Sequence, residues 1–170
     1  RLGRRQTGRP LTRTTPDVIA DFILPGAYGG LTPIDYAAPN SAGIVCIQAK
    51  HYNGIVFGEP NDPQWTNVEG MHRRKFLNPR IQNEGRAKAL QMVVPNVPVH
   101  SLVVFCGDSQ FSAQQIDNVI HVSALAEHLE KLKAAPCEIE DWDAVWLTVR
   151  SAALTDADSR KDFDAQLSFS

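Results

Sequence analysis

The stretch from Ile34 to Lys50, IDYAAPNSAGIVCIQAK, constrains this chain most. Two segments with strand character, 34–38 and 44–50, flank Pro39-Asn40-Ser41-Ala42-Gly43, a run of turn-forming residues. Such a segment folds back on itself as an antiparallel hairpin. If residues 40–43 form a four-residue loop, Pro39 faces Ile44 and paired residue numbers sum to 83. Asp35 then lies directly opposite Gln48. Residues two apart on a strand share a face, so Lys50 projects beside Gln48. Aspartate is disfavoured inside strands, which makes Asp35 a residue that needs a reason.

An acid, an amide and an ammonium group on one face suit phosphodiester chemistry. A hard divalent cation takes oxygen ligands and keeps several waters. Asp35 offers a charged oxygen and Gln48 an amide oxygen. A bound ion acidifies a water and polarises a phosphoryl oxygen. Lys50 can orient that water or meet the charge that builds on the phosphate. The spacing alone also suits a structural reading, in which Asp35 caps the Gly-rich turn at 26–30 and Gln48 and Lys50 form an exposed strand end.

The surrounding pattern is that of a mixed α/β domain with a central sheet. Residues 18–24 read as a strand stopped by Pro25-Gly26, and 54–58 as a further short strand. Residues 59–77 are polar, contain Pro60, Pro63 and Gly70, and read as a long loop. Asn78-Pro79 opens a helix that runs to about Val94, with asparagine as N-cap and proline at the first position. The apolar run 99–106, VHSLVVFC, reads as a strand buried on both faces. A short strand follows at 119–122, Ser123 caps a helix ending near Lys133, and two helices are expected at 142–153 and 156–166.

Charge is segregated along the chain. The 17 lysines and arginines against 19 acids give −2 overall. Residues 1–14 hold five arginines and no acid, and residues 72–88 hold six bases against Glu84. Residues 127–170 hold ten acids and five bases. A field of this kind can bind a polyanion on one side while the total stays near zero. Arg73, Arg74 and Lys75 precede the Asn78 helix, whose N-terminus attracts phosphate; the alternative is a solvated loop. Trp65 either stacks a base or lids the core.

No run approaches the roughly 20 apolar residues that a membrane helix needs. The first residues lack an apolar signal segment, and a chain that starts with Arg1 rather than Met reads as trimmed or as part of something longer. Cys46, Cys106 and Cys137 form no CxxC, and two of them sit in apolar runs. Buried thiols in a reducing compartment follow, which places the protein in the cytoplasm. His51 points away from Lys50 on its strand, and no histidine shows metal-ligand spacing.

Several elements in order resemble the nuclease-related domain (NERD) family of the PD-(D/E)xK superfamily. They are Ile34-Asp35, Gly43, the strand ending at Lys50, Tyr52, Gly54, Trp65, and Asn78-Pro79 with Gln82. The resemblance covers residues 17–133. It implies a restriction-endonuclease-like core, with a basic arm at 1–16 and a helical extension at 136–170. It also implies a nuclease, usually of DNA, in DNA processing or defence against foreign DNA. Asp35 is then a metal ligand with Gln48, Lys50 the catalytic lysine, and Mg2+ or Mn2+ the cofactor. Arg73, Arg74, Lys75, Asn78, Gln82 and Arg86 become the nucleic-acid contacts. Two departures stand out. Gln48 replaces the family's glutamate, as in the similar Mrr-like Gln-x-Lys variant, and residues 1–16 lack the acid that the family carries upstream. They leave a non-catalytic DNA-binding or interaction module, or an RNase, as the alternatives.

Overall fold

The computed structural model describes residues 18–112 and 115–153, together with positions 161 and 164. The basic arm expected at 1–16 lies outside the described residues, and so does nearly all of the helix expected at 156–166.

Six strands come first: β1 (Ile19–Pro25), β2 (Leu31–Asn40), β3 (Gly43–His51), β4 (Gly54–Phe57), β5 (Gln64–Glu69) and β6 (His72–Leu77). Helix α1 (Pro79–Val93) follows, then β7 (Val99–Cys106), β8 (Ser109–Phe111) and β9 (Val119–His121). A 3-10 turn at Val122–Ala124 leads into α2 (Leu125–Leu132), and α3 is Trp142–Ala152. One sheet has the order β1-β2-β3-β7-β9 and the other β6-β5-β4-β8. The first is antiparallel through β3 and parallel from β3 to β9, so the fold is mixed α/β as expected. None of the described helices is long and apolar enough to cross a membrane.

The β2–β3 register is the one expected: Pro39 pairs with Ile44 and Tyr36 with Ile47. The connection is shorter, because Asn40 also pairs with Gly43 and only Ser41 and Ala42 make the turn. The Asn40 side chain shapes it, accepting from Ala42 N at 3.0 Å and donating to Leu129 O at 3.1 Å.

The large sheet is buried on both faces, which explains why β3 and β7 read as near-continuous apolar runs. On one face Ile44, Cys46 and Ala37 pack against Ala87 and Leu90 of α1 and Trp146 and Val149 of α3. On the other, Val45, Ile47, Leu102 and Val104 pack against Leu125 and Leu129 of α2. Residues 136–153, expected as an appended extension, thus contribute to the same core; Cys137 N also donates to Ser41 O at 2.8 Å.

Residues 59–77 are not a loop. They hold the hairpin β5–β6, turned at Gly70-Met71, in which Trp65 pairs with Phe76 and Asn67 with Arg74. The segment is polar because only one face is covered: Trp65 and Asn67 are buried, while 72–75 are exposed. Trp65 is 1% exposed, and its indole N–H donates to Glu59 O at 2.8 Å, which makes it a core residue rather than a base-stacking one. With Val56 it covers Val103, Phe105 and Val119 of the large sheet. The short strand β8 was also not anticipated. Ser123 does not cap α2 with its side chain. The 3-10 turn intervenes, Ala124 stands at the cap with no side-chain bond, and His121 Nδ1 accepts from Ser123 N at 3.2 Å.

Candidate active site

The β2–β3 ladder runs only as far as Tyr36–Ile47. One residue further, the Asp35 side chain takes over, its Oδ2 accepting from Ala49 N at 2.9 Å. The carboxylate thus closes the mouth of the hairpin instead of capping the Gly-rich turn. It is 8% exposed, and its Oδ1 lies 3.8 Å from Arg86 Nη1 on α1.

In the parallel β3–β7 register Cys46 pairs with Ser101, Gln48 with Val103 and Lys50 with Phe105, so these side chains share the face that α1 covers. Helix α1 lies there because Asn78 starts it firmly. The Asn78 Oδ1 accepts from Arg80 N at 2.9 Å, and its amide nitrogen donates to Pro60 O at 3.0 Å and Asp62 O at 2.7 Å. One residue therefore fixes the helix start against the 60–62 segment.

Gln82 and Arg86, four apart, then meet the strand residues. Gln48 Nε2 donates to Gln82 Oε1 at 2.8 Å, and Gln48 is 2% exposed. That bond fixes the amide and leaves Gln48 Oε1 buried without a hydrogen-bond partner. An unsatisfied buried carbonyl costs roughly 1–3 kcal/mol, so this oxygen is an acceptor with capacity to spare. Burial holds the Lys50 ammonium below its ordinary pKa; Arg86 pushes the same way, and Asp35 opposes both. Arg86 and Asp35 also bear on the Cys46 thiol, which burial raises to about 12. A carboxylate, an ammonium and a guanidinium therefore sit within electrostatic reach of each other.

The lowered Lys50 pKa makes stability depend on pH. The unfolded chain holds that proton more tightly than the native one, so a charged Lys50 costs stability below the lowered value. The cost fades as pH rises toward the ordinary value of 10.5. In urea melts Lys50→Met is expected to be more stable than wild type at pH 7, with the gap closing as pH approaches that value. A gap that widens with pH would contradict this burial.

Asp35, Gln48, Lys50, Gln82 and Arg86 are thus brought together. Arg73, Arg74 and Lys75 are not part of this cluster; they are exposed on β6 of the smaller sheet, in a strand rather than a loop before the helix. Asn78 is 2% exposed and its amide serves the helix start. Asn83 was missed. It is fully buried, and its amide nitrogen lies 3.0 Å from Cys46 O, 2.9 Å from Ser101 Oγ and 3.3 Å from Leu102 O, bracing α1 on the sheet. The signal was a polar residue in phase with the buried positions 79, 87 and 90. A cavity of about 410 Å³ lined by Val56, Trp65, Phe111, Ile116 and Val119 is apolar, and none of the Asp35 cluster borders it.

Among the described residues no three His, Cys, Asp or Glu side chains are grouped to hold a metal ion. Asp35 and Gln48 contribute side-chain oxygens, the ligand type that Mg2+ or Mn2+ takes, and among the described residues no set of Cys and His of the kind that most zinc sites use stands with them.

A protein of Bacillus anthracis described as uncharacterized is 23% identical over 171 aligned positions, spanning 95% of this chain and 80% of that one. The family model described as nuclease-related domain (NERD) matches residues 2–106. That match takes in the hairpin, strands β4, β5 and β6 of the smaller sheet, α1 and β7, and covers more than half of the 170 residues, so this chain belongs to the nuclease-related domain family.

Proposed function

We propose that this protein is a metal-dependent endonuclease that hydrolyses DNA phosphodiester bonds, with Asp35, Gln48 and Lys50 as its centre. The observation that carries the reading is the buried, unpartnered Gln48 Oε1 beside a carboxylate and a lysine on one face of the sheet. Asp35 and Gln48 would hold Mg2+ or Mn2+, which when bound supplies an acidified water and neutralises phosphate charge. Gln82 fixes which way the Gln48 amide points. Arg86 neutralises Asp35 in the absence of a cation and is placed to turn to the phosphate once the carboxylate is engaged. Lys50 meets the charge developing on the phosphate, and partial burial strengthens that interaction by excluding water. The exposed Arg73, Arg74 and Lys75 give a backbone-phosphate contact on β6. The three cysteines are free and two are buried, in keeping with a reducing compartment such as the cytoplasm.

A plasmid-nicking assay tests this. Supercoiled DNA is expected to be nicked with Mg2+ or Mn2+, spared in EDTA, and nicked again when metal is restored. Salt-dependent DNA binding with no nicking under any metal would favour a binding module instead, and preferential cutting of RNA would favour an RNase. Gln48→Glu adds a charge to the ligand pair and is expected to tighten Mn2+ binding roughly tenfold, or about 1.4 kcal/mol. Weaker binding by calorimetry would remove Gln48 from the ligand set.

A further inference from the structure

Ile81, Gly85, Lys88 and Met92 recur at helical spacing on α1 and form one stripe on its outward face, opposite the buried positions 79, 83, 87 and 90. Ile81 is 44% and Met92 65% exposed, and Lys88 is exposed. Gly85 lies in mid-helix, where glycine weakens the element. A β-carbon added to it would meet nothing within 4 Å, so no neighbour demands glycine there. What glycine provides is bare backbone that something outside the chain can approach closely.

Tyr28 stands beside this stripe on the loop between β1 and β2 and is 85% exposed. That loop is tied by Gly26 N donating to Gly30 O at 2.9 Å. Lys88 Nζ donates to the Tyr28 hydroxyl at 3.2 Å and lies 5.7 Å from the ring centre. One aromatic ring, one ammonium and a stretch of bare helix thus face solvent together. Gly85 precedes Arg86 on the same helix, and Arg86 pairs with Asp35. The basic balance of residues 72–88 favours a polyanion over an apolar protein surface.

We propose that Tyr28, Lys88 and Gly85 form a subsite for one unstacked nucleotide of the strand bound at the Asp35 centre. The base stacks on the open face of Tyr28, and its phosphate meets Lys88 across the bare backbone at Gly85. The subsite rests on the nuclease reading above and makes single-stranded or frayed nucleic acid the preferred substrate.

Fluorescence anisotropy with a short fluorescein-labelled single strand and the matching duplex, in EDTA so that nothing is cut, tests it. Tyr28→Ala is expected to weaken single-strand binding about five- to hundredfold, and Tyr28→Phe to stay within about twofold of wild type. Gly85→Ala is expected to raise the melting temperature yet weaken binding. A single abasic position walked along the strand should reproduce the Tyr28→Ala loss at one place and add nothing to it in that variant. Wild-type binding that Tyr28→Ala leaves unchanged overturns the subsite and leaves the nuclease reading standing. If Tyr28→Ala instead disrupts self-association with nucleic-acid affinity intact, the residue serves a protein contact and the subsite is likewise overturned. No nucleic-acid binding by wild type overturns the subsite, while the nuclease reading stands or falls with the nicking assay.

Discussion

Gly43→Ala is expected to lower the melting temperature by roughly 8–16 °C, the equivalent of about 4 kcal/mol in a domain of this size. Two effects add. Gly43 has φ +132°, a conformation that side chains other than glycine's rarely adopt, at a cost of about 1–3 kcal/mol. A β-carbon there would also stand 2.1 Å from Pro98 O, a backbone atom. Pro98 O cannot retreat cheaply, because it accepts from Ile44 N at 2.8 Å and so starts the β3–β7 pairing; overpacking of this kind costs about 1–3 kcal/mol more. The consequence reaches the site, since the same pairing sets Gln48 against Val103 and Lys50 against Phe105. Thermal melts by circular dichroism measure the effect, and a loss below about 2 °C would show that the turn tolerates a side chain after all.

Lys50→Met is expected to reduce DNA nicking roughly a hundred- to thousandfold, the range found when one preorganised charge-stabilising donor is removed. Methionine keeps most of the buried stem and removes the ammonium. It also removes the cost of holding that ammonium in a half-buried place, so the variant folds at neutral pH. Activity and stability therefore move in opposite directions, an outcome that loss of folding could not produce. The measurement is the nicking rate at saturating Mg2+ on samples whose melts have been compared. Unchanged nicking would remove Lys50 from the chemistry.

The juxtaposition of Asp35 with the Gln48 strand was legible in the sequence because its geometry is local. The turn formers at 39–43 set the register, and the register set Asp35 against the Gln48 strand whether the loop held four residues or two. Asn78-Pro79 was legible for the same reason, since a cap is a contact between near neighbours. The smaller sheet was not. β6 carries His72, Arg73, Arg74 and Lys75 in succession, with no apolar alternation, and becomes a strand only because Trp65 and Phe76 find Phe105 of the distant β7. Tertiary packing decided that element, and no window of sequence contains it. Asn83 was missed because a polar residue on a helix reads as solvated until the carbonyls of Cys46 and Leu102 are seen beneath it. The partnership of Arg86 with Asp35 was likewise out of reach, because it joins a helix to a strand 51 residues earlier.

The most direct measurement is a calorimetric Mn2+ titration of the wild-type protein and of Asp35→Asn. The wild type is expected to bind one ion, and the variant, which keeps the shape of the side chain and loses its charge, to bind none at the same concentrations. Absence of binding by the wild type, or equal binding by both proteins, would contradict a cation centre at the mouth of the β2–β3 hairpin.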